Sequence, residues 1–400
     1  MSSVSAPRPV RRALRPAPDW SGRVVLYHNV VAPYRHALFQ ELARRMALDV
    51  WFSVRTTRDR KWSTRVPAGY DHRFLDGWSV YGFNRPLIFC PGLIRDLRRA
   101  RPQAVIAVLT RSNAVDVLRI CRWGRRAGVP VVLWIGAVEP DPAFTTDVPR
   151  ALDRLFERYY RKAIREATGY VYYSELSRRW AERRGARGPG TSGTQVLPPA
   201  PVPPRLEAHH GRDDLVMLYV GKLEHRKGVD LLIRAAADLE PEVRRRLLVR
   251  IAGEGPMAAM LPELTEAGIR YEFLGHTDRD ELWKVYRDAD LTVLASRHDP
   301  WANILNESMS MGTPVLISRQ AGGAELGGRA GWVCDLRDPA SLPRELARAL
   351  AECRDSGRRR DAVRAEREYR PDTSADRIAT LMRQLVDGPA VPERLLSRTG

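Results

Sequence analysis

Two α/β domains, each with a largely parallel sheet, are predicted by three observations. Short β-branched or aromatic runs alternate with Arg-rich amphipathic segments, a proline cluster near residue 200 breaks that alternation, and the alternation then starts afresh. Strand–helix alternation of this kind favours a parallel sheet covered by helices on both faces. At 400 residues the chain also exceeds what one hydrophobic core usually serves. The fold class is therefore α/β, with two Rossmann-like domains.

In the first half, residues 24–27 read as a strand, 34–46 have helical periodicity, and 48–53 read as a second strand. Residues 104–109, 129–135 and 169–173 are further short strands between amphipathic helices. The segment V-L-P-P-A-P-V-P-P-R, residues 196–205, has five prolines, which neither continue a helix nor pair within a central strand. It is the linker. Strands at 215–220, 247–252, 270–274, 291–295 and 315–318 follow. The expected organisation is a disordered basic arm over 1–21, a first domain over 22–195, a linker over 196–213 and a second domain over 214–371. A helix is expected over 372–388 and a tail over 389–400. No short-period repeat is visible.

Composition narrows the function classes. The 44% apolar content and ten Trp support sizeable cores. Cys90, Cys121, Cys334 and Cys353 are scattered without a C-x-x-C, which argues for reduced thiols and against a structural zinc site. No apolar run reaches membrane-spanning length, and the basic N-terminus lacks the apolar stretch of a secretory signal, so a cytoplasmic location is expected. The net charge of +18 is uneven: residues 1–200 carry 35 Lys and Arg against 16 Asp and Glu, whereas 201–400 carry 31 against 32. Such a field draws an anionic membrane face or a phosphorylated substrate, although Arg-rich solubility is a plainer explanation. Nucleic-acid recognition is not expected, because zinc-finger spacing and RNP-like aromatics are absent and the basic residues are dispersed.

The richest stretch is D-P-W-A-N-I-L-N-E-S-M-S-M-G, residues 299–312. Two carboxylates, Asp299 and Glu307, bracket an apolar turn, and a buried strand follows. Carboxylates accept from sugar hydroxyls, while a helix N-terminus offers free N–H groups to phosphate. An ordinary αβ unit with acids near its helix start is the plain alternative. Upstream, G-K-L-E-H-R-K-G-V-D follows the strand at 215–220, in the place where open α/β sheets bind ligands. Its Gly221 permits close approach, and Lys222 and Lys227 are compact charges suited to phosphate; solvated surface lysines would look the same. The loop is not a Walker A. Gly253-Glu254-Gly255-Pro256 formally begins a dinucleotide fingerprint, but Pro256 removes an N–H and Glu272 sits inside its strand. A tight turn that lends backbone to a ligand fits better.

Taken together and in order, G-K-L-E-H-R-K-G-V-D-L-L-I-R-A, I-A-G-E-G-P, F-L-G-H, A-D-L-T-V-L-A-S and D-x7-E-S-M-S-M-G-T-P-V resemble the nucleotide-sugar half of retaining GT-B glycosyltransferases. That large bacterial family includes mannosyl- and glucosyltransferases of envelope synthesis. The match spans roughly 215–340, and N-V-V-A-P-Y-R-H-A-L-F-Q-E-L-A is similar to the P-Y-R opening of many members. The resemblance implies two domains facing across a cleft, with residues 372–388 crossing back onto the first. It also implies catalytic roles for three residues: Lys222 and Lys227 at the donor diphosphate, and Asp299 at the donor sugar. Gly221 is expected in the donor loop, Gly275 and His276 near the base, and the N–H groups of Asn303, Ile304 and Leu305 at phosphate. Glu307 is expected on the ribose hydroxyls. The sequence departs from the family at several points. Asp299 stands where Glu is usual, Ala302 where Gly is common, and Gly322-Gly323-Ala324-Glu325 is one residue short of G-G-x-x-E. Trp134-Ile135-Gly136 occupies the place of an N-domain histidine.

The implied function is sugar transfer from a nucleoside-diphosphate sugar, with no metal or other cofactor required. The acceptor would be an envelope polysaccharide, a lipid-linked intermediate or a natural-product scaffold. On the acceptor side, His28, Tyr34, Arg35 and Arg111 are the candidates, with Tyr34 and Arg35 equally readable as the start of a helix packed on the sheet. A sugar-nucleotide epimerase of the same fold and a silent sugar-nucleotide binding protein are the alternatives. The expected partners are nucleotide sugar, acceptor and an anionic membrane face at the basic half, and no nucleic acid.

Overall fold

The first sheet is organised around β1 (Trp20–Val30), whose run Val24–Ala32 is buried on both sides, as a central parallel strand requires. The computed structural model describes residues 19–56, 65–82, 85–139, 150–193, 200–207 and 212–388. After β1 come α1 (His36–Arg45), β2 (Met46–Val54), β3 (Asp71–Phe74), β4 (Trp78–Gly82), β5 (Arg85–Phe89) and α2 (Leu93–Ala100). Then follow β6 (Ala104–Leu109), α3 (Ala114–Ala127), β7 (Val131–Ile135), α4 (Arg150–Glu166), β8 (Gly169–Tyr172), α5 (Glu175–Glu182) and β9 (Gly190–Ser192). Seven of these strands form one parallel sheet in the order β3-β2-β1-β6-β7-β8-β9, while β4 and β5 pair with each other as a separate antiparallel hairpin.

The second sheet repeats the plan. Its elements are β10 (Leu215–Val220), α6 (Val229–Ala237), α7 (Pro241–Arg246), β11 (Leu247–Ala252), α8 (Pro262–Glu266), β12 (Arg270–Gly275), α9 (Arg279–Asp288) and β13 (Leu291–Leu294). They continue with α10 (Asn303–Ser310), β14 (Val315–Ser318), α11 (Ala324–Ala330), β15 (Trp332–Cys334), α12 (Ser341–Glu352) and α13 (Ser356–Arg367). The order β12-β11-β10-β13-β14-β15 reverses direction between β10 and β13, and the first sheet reverses between β1 and β6. Loops leaving the carboxyl ends at such a reversal diverge and open a crevice for ligand.

The last helix, α14 (Pro371–Asp387), leaves the second domain and packs on α1 and β9 of the first. Its Asp376 takes a 2.6 Å ion pair from Arg45, Arg377 donates to Ser192 at 3.0 Å, and its apolar face joins the core beneath β1 and β2. The described part of the linker is fastened to the second domain. Ala200 and Val202 pack beside Trp283 and Met311, and Arg205 gives its N–H to the Met311 carbonyl at 3.1 Å and a guanidinium N–H to that of Ala289. Arg354, Arg359 and Arg212 converge on the buried Asp290 carboxylate behind it.

Several boundaries differ from the sequence expectation. The first strand begins at Trp20 rather than 24, so residues 20–21 belong to the sheet and not to an arm. Residues 34–46 divide into the end of a 3-10 turn (Pro33–Arg35), α1 (His36–Arg45) and the first residue of β2. β3, β9, β15 and the β4–β5 hairpin were not expected; three of them are edge strands of only three or four residues, too short for a periodic signal. The basic arm up to residue 18, linker residues 196–199 and 208–211, and the tail 389–400 lie outside the described residues.

Candidate active site

Three strand ends converge in the second domain. Register pairs Val220 with Ala252 and Ala252 with Gly275, so β10, β11 and β12 stop at one level and three glycine loops leave side by side. The loops are laced together by backbone bonds, Gly221 N–H to Ala252 O at 2.9 Å, Leu223 N–H to Glu254 O at 2.9 Å and Gly253 N–H to Gly275 O at 2.7 Å. The fit needs glycine at Gly253: its φ is +142° and a Cβ there would lie 2.0 Å from the Gly221 carbonyl. G-E-G-P is therefore a close-approach turn that lends its backbone to the loop after β10. Around these loops lies a cavity of about 660 Å³, lined by Gly221, Lys222, Glu254, Pro256, His276 and Thr277 among others. Its size suits a nucleoside.

On the other side of the β10–β13 reversal, Lys227 ends a 3-10 turn and Asp299 follows β13. Lys227 Nζ meets Asp299 Oδ2 at 2.5 Å, so the loops carrying the two residues are joined at the crevice. Arg297 fixes the same turn from below. It forms a buried two-pronged pair with Asp230 at 2.6 and 2.7 Å and donates to the His225 carbonyl at 2.6 Å. Burial alone would raise the Asp230 pKa, but the Arg297 hydrogen bonds and charge outweigh it and hold the carboxylate below its usual range. His298 beside Asp299 is pushed the other way, its pKa lowered by burial and by Arg226, which favours a neutral imidazole.

α10 opens directly after this turn. Ala302 offers no side-chain cap, and among the described residues the N–H groups of Asn303 and Ile304 have no carbonyl partner. Leu305 differs from the expectation: its N–H already reaches the Ala302 carbonyl at 3.0 Å and its side chain is in the core. The open N–H groups at this helix end narrow to Asn303 and Ile304, where the helix dipole favours an anion. Glu307 does not open the helix; it sits in the second turn. Its Oε2 accepts from Tyr286 at 2.7 Å and Arg279 stands 3.8 Å from Oε1. Burial raises the Glu307 pKa, and the Tyr286 hydroxyl pulls part of that back. Tyr286 and Arg279 belong to α9 and were missed in the sequence, where nothing in D-R-D-E-L-W-K-V-Y links them to a residue some twenty positions later.

The Gly322-Gly323-Ala324-Glu325 segment closes the crevice from the far side. Gly322 donates its N–H to Asp299 O at 2.7 Å, and a Cβ on Gly322 would fall 1.9 Å from Pro300 O. Glu325 then crosses to the first domain and accepts the Glu175 N–H at 2.8 Å, at the start of α5.

The acceptor-side expectations fare differently. Arg35 is 1% exposed, its guanidinium sandwiched 4.3 Å from the Trp134 ring and 4.8 Å from Tyr173, and burial lowers its pKa to about 10. It packs the turn into α1 against the sheet, the reading that competed with a role at the acceptor; a buried guanidinium cannot meet an incoming ligand. His28 is likewise buried, edge-on to Phe39 and Phe52. Tyr34 and Arg111 are partly accessible, and Arg111 lies over Phe156 at 4.6 Å. At Gly136 a Cβ would lie 2.4 Å from the Tyr173 ring, so the strand end that carries no histidine has no room for a side chain.

Residues 206–368 match the family model described as glycosyl transferases group 1. The match runs from just before β10 to the end of α13. The segment is similar to an uncharacterized glycosyltransferase of Methanocaldococcus jannaschii, 36% identical over 117 residues, which are 28% of this chain and 30% of that protein. It is also similar to the D-inositol 3-phosphate glycosyltransferase of Thermomonospora curvata, 33% identical over 186 residues, 42% of each chain. The matches thus span less than half the length of these curated relatives. Over the full fold, an Anabaena protein solved in complex with UDP superposes with a TM-score of 0.61 at 15% identity, covering 90% of this chain and 99% of that one. The matched segment is thus the second half of a GT-B fold, with the Gly221–Lys227 loop and the turn from Asp299 into α10 at its crevice.

Proposed function

We propose that the protein is a retaining, metal-independent glycosyltransferase that uses a nucleoside-diphosphate sugar. The observation that carries the reading is the joining of Lys227 to Asp299 at 2.5 Å, beside the open N-terminus of α10 and the cavity that holds Lys222. A nucleoside fits the glycine-loop cavity, and its ribose hydroxyls donate to Glu307. The diphosphate lies between Lys222, Lys227 and the N–H groups of Asn303 and Ile304. These groups stabilise negative charge as it grows on the leaving phosphate, the type of contribution that dominates many active sites. The sugar C1–O bond to phosphate breaks and the acceptor oxygen bonds C1 from the same face. The acceptor proton passes to the departing phosphate oxygen, and the products are the glycoside and a nucleoside diphosphate. Asp299, one methylene shorter than Glu, is held by Lys227 and orients that lysine as well as facing the sugar.

The acceptor we propose is an envelope or lipid-linked intermediate presented at an anionic membrane face, in keeping with the excess of Lys and Arg in the first half. No helix among the described residues is long and apolar enough to cross a membrane. A thermal-shift panel of UDP-, GDP-, dTDP- and ADP-sugars identifies the donor, because a ligand bound only by the folded state raises its stability. With that donor and an acceptor mixture, Lys227→Ala and Glu307→Ala should abolish transfer; full turnover in both would sink the assignment. Donor incubated alone separates transfer from epimerisation, since only an epimerase alters the sugar without acceptor.

A further inference from the structure

The β4–β5 hairpin carries an apolar face that the donor chemistry does not use. Register sets Trp78 opposite Phe89 and Val80 opposite Leu87, so these four side chains share one face, and they are 65%, 38%, 64% and 42% exposed. On the opposite face Ile88 is buried, while its partner Ser79 is exposed. Isolated exposed apolar residues are common, but four in one two-stranded face, including a Trp, are not.

Both roots of the hairpin are anchored. At the first, Leu75 gives its N–H to Phe52 O at 2.8 Å, and Gly77 lies so close to β2 that a Cβ would fall 2.3 Å from Ser53 O. At the second, Cys90 donates its N–H to the buried Asp116 at 2.8 Å. Asp116 is also held by Tyr27 at 2.9 Å and Arg119 at 2.6 Å. The exposed face is therefore presented by a fixed support.

Its place in the fold gives it a direction. The hairpin follows the carboxyl end of β3, and β5 packs beside the 3-10 turn (Arg111–Asn113) that follows β6. Two more exposed apolar residues lie at this end of the sheet: Val115, just past that turn, and Leu155, next to the Phe156 that Arg111 covers. Cations flank the patch. Arg119 stands over the Phe89 ring at 4.6 Å, and Arg95, Arg98 and Arg99 are exposed on α2, which the hairpin runs into.

We propose that this hairpin face is a membrane-docking wedge that seats in the interface of an anionic lipid leaflet, bringing the cleft edge of the first domain to lipid-borne acceptor. It rests on the transferase reading for its purpose, but not for its binding. The chemistry of the patch selects this partner. Trp is favoured at the headgroup level, the aliphatic and Phe side chains enter the acyl boundary, and the arginines meet lipid phosphate.

The test is vesicle flotation, using phosphatidylcholine alone or mixed with phosphatidylglycerol, with wild type and a Trp78→Ser/Val80→Ser double variant. Wild type should float with anionic vesicles and be released only in part at about 0.5 M salt, where charge attraction is screened but apolar insertion persists. The double variant should bind about tenfold or more weakly, since two apolar side chains lose their burial. Its melting temperature and nucleotide-induced thermal shift should match wild type, because neither side chain packs in a core or lines the donor cavity. Equal flotation of both proteins, or no flotation of wild type, overturns the proposal. So does wild-type dimerisation that the double variant abolishes without vesicle binding, which would make the face a contact between two copies. Transfer to a soluble acceptor without flotation removes the wedge alone; flotation without transfer removes the enzyme reading alone.

Discussion

Arg297→Met isolates what holds the Lys227 turn in place. In the native protein Arg297 and Asp230 are both buried and joined by two hydrogen bonds of 2.6 and 2.7 Å, with a third from Arg297 to the His225 carbonyl. Methionine keeps most of the volume but leaves the Asp230 carboxylate without its main partner. Breaking a buried pair in this way costs about 3–5 kcal/mol, more than the loss of a surface bridge by several-fold. Urea unfolding of the second domain at pH 7 should show that loss as a lower midpoint at unchanged slope. The pH dependence follows from the sign of the shift. In wild type the Asp230 pKa is depressed, so the pair's stabilisation is complete above the unfolded carboxylate value and is lost only as pH falls through the lower native one. In the variant, burial raises that pKa, so the penalty is full at neutral pH and eases as the residue protonates. The stability gap should therefore narrow between about pH 7 and pH 5, and adding Asp230→Asn should recover part of it even at pH 7. A loss below about 1 kcal/mol, or a gap that widens as pH falls, would refute the reasoning.

Other outcomes follow from the same geometry. Tyr286→Phe removes the donor to Glu307 and should weaken nucleoside-diphosphate binding about tenfold by calorimetry, with little change in unfolding midpoint. Because burial raises the Glu307 pKa, nucleotide affinity should fall on acidification at a higher pH than an ordinary carboxylate near about 4.3 would set; a pH-independent affinity contradicts its role on the ribose. Gly228→Ala places a Cβ 1.8 Å from Ala295 O at φ +71° and should cost about 2–4 kcal/mol in urea unfolding, whereas Gly268→Ala, at φ +76° with nothing within 4 Å, should cost about 1 kcal/mol.

What the sequence made legible was local. The run L-V-M-L-Y-V followed by glycine announces a buried strand and its exit loop, and β10 and Gly221 lie where that pattern places them. The lysines of the loop and the acids of residues 299–307 were readable because each sits beside a turn or a helix start. What was not readable depended on contacts distant in the chain. Glu307 is set by Tyr286 and Asp230 by Arg297. Arg35 shows the opposite limit: beside a strand end its charge suggested a ligand, yet Trp134 and Tyr173, a hundred residues on, enclose it. The hairpin of W-S-V-Y-G and R-P-L-I-F was not expected at all, and its position outside the seven-stranded sheet is what exposes one face.

The two domains are joined in a way that suits closure around a donor. The chain crosses twice, at the linker and at the start of α14, and both crossings are fixed at their ends, by Arg205 on Met311 and by Asp376 on Arg45. Across the crevice itself the described polar links are few: Glu325 to the Glu175 N–H, and a long 3.5 Å contact from Ser174 to Pro300 O. Few polar bonds then have to break at the mouth when the lobes move, as in two-domain clefts that close around a ligand. Glu325 lies in the segment that bonds Asp299, so the link across the mouth and the Asp299 carboxylate share one support. The backbone contact between Asp299 and Gly322 therefore ties the Lys227 partner to the segment that touches the first domain.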